Sequence, residues 1–166
     1  MGGSSGGGIP IADIGRLEAK AKQSLSSAAN DTSPHVFISF SHEDMDEVNL
    51  LRGQAKNDKV DLQFDDYSVK EPYNSKNADY IKQQIRKKIA QCSVTIVYLT
   101  GKSASSEWVN YEIEESLKQG KGVIGLYKGT APPTNMPAAF KANNCKSVPW
   151  SHEAINSGIE AANKKP

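Results

Sequence analysis

Apolar positions along this chain follow two different periods, and the switches between them outline the elements. The run HVFISFS from His35 is short, apolar and β-rich, whereas DMDEVNLLRGQAKN from Asp44 reads as a helix with Asp44 or Asp46 as its N-cap. VDLQFDD, ending at Asp66, is a second strand, followed by the polar loop YSVKEPYNSKN. In ADYIKQQIRKKIAQ the residues Ile81, Ile85 and Ile89 recur every four positions and predict one buried helix face. SVTIVYLT is apolar at both alternations, as a strand covered on both sides should be. SSEWVNYEIEESLKQG predicts a helix capped by Ser105 or Ser106 and stopped by Gly120; GVIGLY is a fourth strand, SVPW a weak fifth, and HEAINSGIEAANKK a terminal helix.

Strands separated by helical patterns imply right-handed crossovers and a parallel sheet covered on both faces. The predicted class is a flavodoxin-like α/β fold, an open parallel sheet of about five strands in the order 2-1-3-4-5. Ahead of it, residues 1–9 read as a flexible Gly/Ser tail, and 10–33 as a helix and linker, with Ile11, Ile14, Leu17, Ala21 and Leu25 at helical intervals. Residues 34–166 form the predicted domain. The N-terminal helix caps the domain edge or mediates self-association. In a sheet of this order ligands bind beyond the carboxyl ends of the strands, where the order reverses. That points to residues 40–44 and 100–106.

Composition narrows the function more by exclusion than by suggestion. The 166 residues carry 20 basic and 19 acidic side chains, a formal net charge of +1 that gives no overall bias toward nucleic acid or anionic lipid. No run approaches the roughly 20 apolar residues needed to span a bilayer, and no charged and apolar leader opens the chain, so a cytoplasmic protein is expected. Gly6 stands where a myristoylation pattern requires Ser or Thr. Cys92 and Cys145 form no metal or redox motif, and Cys92 sits where a buried, inert thiol is expected.

Nucleotide signatures fail one by one. Gly101, Lys102 and Ser103 spell the end of a P-loop, but Ile96 occupies the position of its first glycine. No GxGxxG follows the first strand, no aspartate closes the third, and no HExxH or other metal-ligand cluster is present. Glu112 is more informative, because it lies four residues after Trp108 on the helix that follows the third strand, toward the ligand-binding edge. On the residues alone, Val109, Ile113, Ser116 and Leu117 define the packed face, with Trp108 and Glu112 along its flank.

HVFISFSHED resembles the first-strand box of Toll/interleukin-1 receptor (TIR) domains, and IAQCSVTIVYLTGKSASSEWVNYEI resembles their third strand and following helix, including its S-x-W-x-x-x-E arrangement. The likeness spans about residues 34–127 and is nearest to the bacterial TIR-like proteins of Thoeris antiphage defence. It implies an NAD glycohydrolase or ADP-ribosyl cyclase with Glu112 as catalytic residue and Trp108 as its aromatic neighbour. NAD is then a substrate, with no further cofactor and no metal. The resemblance also implies that Phe40, Ser41 and His42 face NAD, with Asp65 and Tyr73 as further contacts; Ser103 is a further candidate polar contact at the same edge. Self-association, and a downstream effector reached through a nucleotide signal, complete what it implies. The loop after Asp66 departs from the family's Arg-Asp-x-x-Pro-Gly pattern. Two other readings compete: a non-catalytic interaction module in which Glu112 merely solvates a helix face, and an unrelated nucleoside-cleaving transferase on a similar sheet.

Overall fold

The computed structural model describes residues 35–57, 61–63 and 76–163, all within the compact unit Ser33–Pro166. The tail and helix expected before residue 34, and the candidate contacts Asp65 and Tyr73, lie outside the described residues.

The chain runs β1 (His35–Ser39), one 3-10 turn (His42–Asp44), α1 (Met45–Asn57), β2 (Asp61–Gln63), α2 (Ala78–Ala90) and β3 (Val94–Tyr98). It continues through α3 (Gly101–Ala104), α4 (Glu107–Lys118), β4 (Gly122–Tyr127), α5 (Ala138–Ala142), β5 (Lys146–Pro149) and α6 (His152–Asn163). The sheet is parallel throughout, in the order β2-β1-β3-β4-β5. Pairing of Val36 with Val94 and of Ser39 with Val97 puts the carboxyl ends of β1 and β3 side by side, at the predicted reversal of strand order.

Alternation along the strands divides the core into two layers. Val36, Ile38, Phe40, Ile96, Tyr98 and Leu126 face Val48 and Leu51 of α1 and Ile155 and Ile159 of α6. On the other face, Phe37 packs with Ile81, Ile85 and Ile89 of α2, and with Cys92 and Trp108. Beside it, Val97 and Val123 meet Val109 and Ile113 of α4 and Phe140 of α5. All five residues of β3 are buried, so the strand with apolar residues on both faces is the central one.

Two glycines shape the ends of β4 and its neighbours. Gly120 takes a φ of +77° just beyond α4, the left-handed conformation that ends a helix without a Cβ clash. Gly122 lets β4 approach α6, since a Cβ there would lie 2.4 Å from the Ala162 carbonyl oxygen.

The short helices α3 and α5 fall between the elements the hydrophobic pattern predicts; four and five residues are too few to show a 3.6-residue period. Ser106 caps α4, its hydroxyl accepting from Val109 N at 3.2 Å. Asp46 lies inside the first turn of α1, and Asp44 immediately precedes the helix as the last residue of the 3-10 turn. The 3-10 turn precedes that helix, with Ser41 at the cap position, and the Asp44 carboxylate accepts a hydrogen bond from Thr100. Among the described residues no group of His, Cys, Asp and Glu could hold a metal ion, and no helix is long and apolar enough to cross a membrane.

Candidate functional site

Ser39 is the one buried polar residue of β1 and stands at its carboxyl end. Strand alternation turns Ser39 toward the same face as Phe37, beneath α4. The helical period of α4 brings Trp108, Val109, Glu112, Ile113, Glu115 and Ser116 inward. Ser39 and Glu112 therefore meet in the layer between sheet and helix, and both are 0% exposed. The Ser39 hydroxyl donates to Glu112 Oε1 at 2.6 Å.

One turn further along, Ser116 Oγ donates to the Glu112 carbonyl oxygen at 2.7 Å, and lies 2.7 Å from Thr95 Oγ1 of β3. The second turn of α4 thus meets the carboxyl end of β1, while its next turn meets the beginning half of β3. The helix runs opposite to the strands, with its N-terminal half at the ligand-binding edge.

The loops after β1 and β3 are tied together at the same edge. Thr100 Oγ1 donates to Asp44 Oδ2 at 2.6 Å and accepts from Lys102 N at 3.2 Å and Ser103 N at 3.1 Å. Ser103 Oγ accepts from Thr100 N at 2.9 Å, completing a reciprocal capping box around α3. Asp44 is buried, and that burial raises its pKa above the ordinary value; the Thr100 hydrogen bond and the Lys102 charge oppose the rise, while Glu47 and Glu43 add to it. Tyr98, on the opposite face of the sheet from Glu112, donates its hydroxyl to Glu47. Burial, and then Glu47, hold the phenol well above its usual titration range.

The residues expected from the sequence do not all gather around Glu112. Glu112 itself is fully buried, which corrects the reading in which it merely solvates a helix face. Trp108 is 6% exposed and belongs to the layer formed with Phe37 and α2, edge-on to Tyr111 with ring centroids 6.3 Å apart. Phe40 lies in the layer on the opposite face of the sheet, with Val48, Leu51 and Tyr98. Ser41 is buried and its carbonyl accepts from Asp44 N at 2.8 Å, while His42 is exposed. Ser103 is fully buried, and its hydroxyl also donates to the Thr100 carbonyl at 3.0 Å.

The sequence places Asp44 and Thr100 at the ligand-binding edge without pairing them, and does not single out Ser39. The available signal was Ser39 itself, a lone hydroxyl after the apolar Val36, Phe37 and Ile38. Thr100 lies two residues beyond β3, as the N-cap of α3.

Residues 37–132, more than half of the chain, match the family model described as Thoeris protein ThsB, TIR-like domain. The chain belongs to that TIR-like family. No curated protein matches it. Solved structures similar to this chain include the Clostridium botulinum CMP N-glycosidase BcmB, at 12% identity over 76% of this chain and 98% of that one, with a TM-score of 0.48. The TIR domains of the activated Roq1 resistosome directly recognizing the pathogen effector XopQ are similar at 20% identity over 78% of this chain and 72% of that one, TM-score 0.45. A 3-dehydroquinate dehydratase-like protein from Bifidobacterium longum is similar at 6% identity over 78% and 94%, TM-score 0.41. Likeness at this level is no guide to substrate.

Proposed function

We propose that this TIR-like domain cleaves the glycosidic bond between ribose and nicotinamide in NAD, with Glu112 as the catalytic carboxylate. The observation that carries the reading is the placement of Glu112: a carboxylate held by Ser39 at the carboxyl end of β1, beside the reversal of strand order where such sheets bind ligands.

Loss of nicotinamide from NAD leaves a sugar with oxocarbenium character, and the pyridine departs neutral, so no general acid is required. A single carboxylate can stabilise the developing positive charge and accept hydrogen bonds from the ribose hydroxyls, an effect that is strongest where water is excluded. Water capturing the cation yields ADP-ribose and a proton; a nucleophile on the same molecule yields a cyclic product and a proton. Trp108 enters this reading as an apolar wall, and Ser41, His42, Asp65, Tyr73 and Ser103 as polar or aromatic contacts; Phe40, packed on the opposite face of the sheet, drops out of it. Since Glu112 is fully buried, turnover on this reading includes a rearrangement that opens the carboxylate to the sugar. Self-association is the proposed means, the product is a nucleotide signal to a downstream effector in antiphage defence, and the location is cytoplasmic.

The same burial favours a second reading, a non-catalytic interaction module in which the Ser39–Glu112 pair only holds α4 to the sheet. Incubation of concentrated protein with NAD, with nicotinamide release followed and the product identified by mass spectrometry, separates the two. Catalysis requires release by the wild type and its loss in folded Glu112→Ala. Absence of release at every concentration supports the module.

A further inference from the structure

We propose that Ser39 is a positioning residue for Glu112, fixing the orientation of the carboxylate for glycosidic cleavage; the inference rests on the NAD-cleaving reading above. Its hydroxyl lies 2.6 Å from Glu112 Oε1, the short distance typical of a hydroxyl donating to a charged acceptor. The pair joins residues 73 positions apart.

Stability alone is a poor reason for such a pair. The surrounding layer holds Phe37, Val97, Trp108, Val109 and Ile113, and a well-packed apolar pair there would avoid the desolvation cost of a carboxylate. A polar pair can do what an apolar one cannot, which is to select one rotation of the carboxylate plane. Glutamate has three side-chain torsions, and ordering them at the moment of reaction would add to the barrier. Ser39 removes that freedom beforehand from a rigid base, because β1 is hydrogen-bonded to β2 on one side and β3 on the other.

The main chain of Glu112 is held separately, by Ser116 Oγ on its carbonyl oxygen and by Thr95 beyond it. Its side chain is thereby referenced to β1 and its backbone to β3. Removing the Ser39 hydroxyl should loosen the first and leave the second.

The test uses the full chain at high concentration, comparing wild type, Ser39→Ala, Ser39→Cys and Glu112→Gln for steady-state nicotinamide release from NAD, with thermal melting of each. Folded Ser39→Ala is expected to lose kcat by about 10–100-fold with KM little changed. Ser39→Cys, similar in size and a weaker donor, should fall between Ala and wild type. Wild-type kcat in folded Ser39→Ala, or Ser39→Cys no better than Ala, overturns the positioning role and leaves the NAD reading standing. Wild type that releases no nicotinamide overturns both.

Discussion

Thr100 donates its hydroxyl proton to Asp44 across 2.6 Å, joining the turn after β3 to the turn after β1 over 56 positions of sequence. Its oxygen also accepts from two backbone amides of α3, so one side chain both caps a helix and closes the edge where the strand order reverses. Replacing it with the similarly shaped valine removes all three bonds. Thr100→Val is expected to lower unfolding free energy by about 1–3 kcal/mol, measured as a lower urea midpoint with an unchanged slope.

The buried acceptor gives that contact a dependence on pH. Burial raises the folded pKa of Asp44 above 3.8, so over a window starting near that value the native chain binds a proton that the unfolded chain has released. The stability Asp44 contributes is then fully present below its unfolded pKa and is lost as pH rises through the raised value. Asn at this position keeps an acceptor and cannot ionise. The unfolding free energy of wild type minus that of Asp44→Asn should therefore fall from acid toward neutral pH in a urea series, and a difference that rises would reverse the assignment.

Trp108 is a core residue whatever else it does. Trp108→Ala should cost about 3–5 kcal/mol, as expected for emptying a large buried site, and Trp108→Phe distinctly less. Nicotinamide release per folded molecule then decides whether the indole also serves the substrate. Equal turnover in wild type and Trp108→Phe would confine it to packing.

Gly122 is where β4 meets α6. An added methyl would sit 2.4 Å from the Ala162 carbonyl oxygen and 2.8 Å from the Ala162 Cβ, and a main-chain atom cannot rotate aside as a flexible side chain can. Gly122→Ala should destabilise by about 1–3 kcal/mol; a chemical denaturation midpoint equal to that of wild type would show that α6 shifts freely.

Local periodicity determined a good deal of this protein. Ile81, Ile85 and Ile89 announced the buried face of α2, the apolar residues at both alternations of β3 announced a strand covered on both sides, and the alternation of elements implied the order 2-1-3-4-5. Residues 34–127 also carried the TIR-like likeness that the family match over residues 37–132 bears out. Each of these is written within one element or in the succession of elements, where the 2.0- and 3.6-residue repeats make it visible.

Only the tertiary structure decided which side chains meet. It placed Phe40 and Glu112 on opposite faces of the sheet, buried Glu112 completely, and found its partner in Ser39 and that of Asp44 in Thr100. A repeat within a helix or strand says which residues share a face. What lies across from that face depends on crossover handedness, strand register and the distance of approach, all set by packing between segments far apart in the chain.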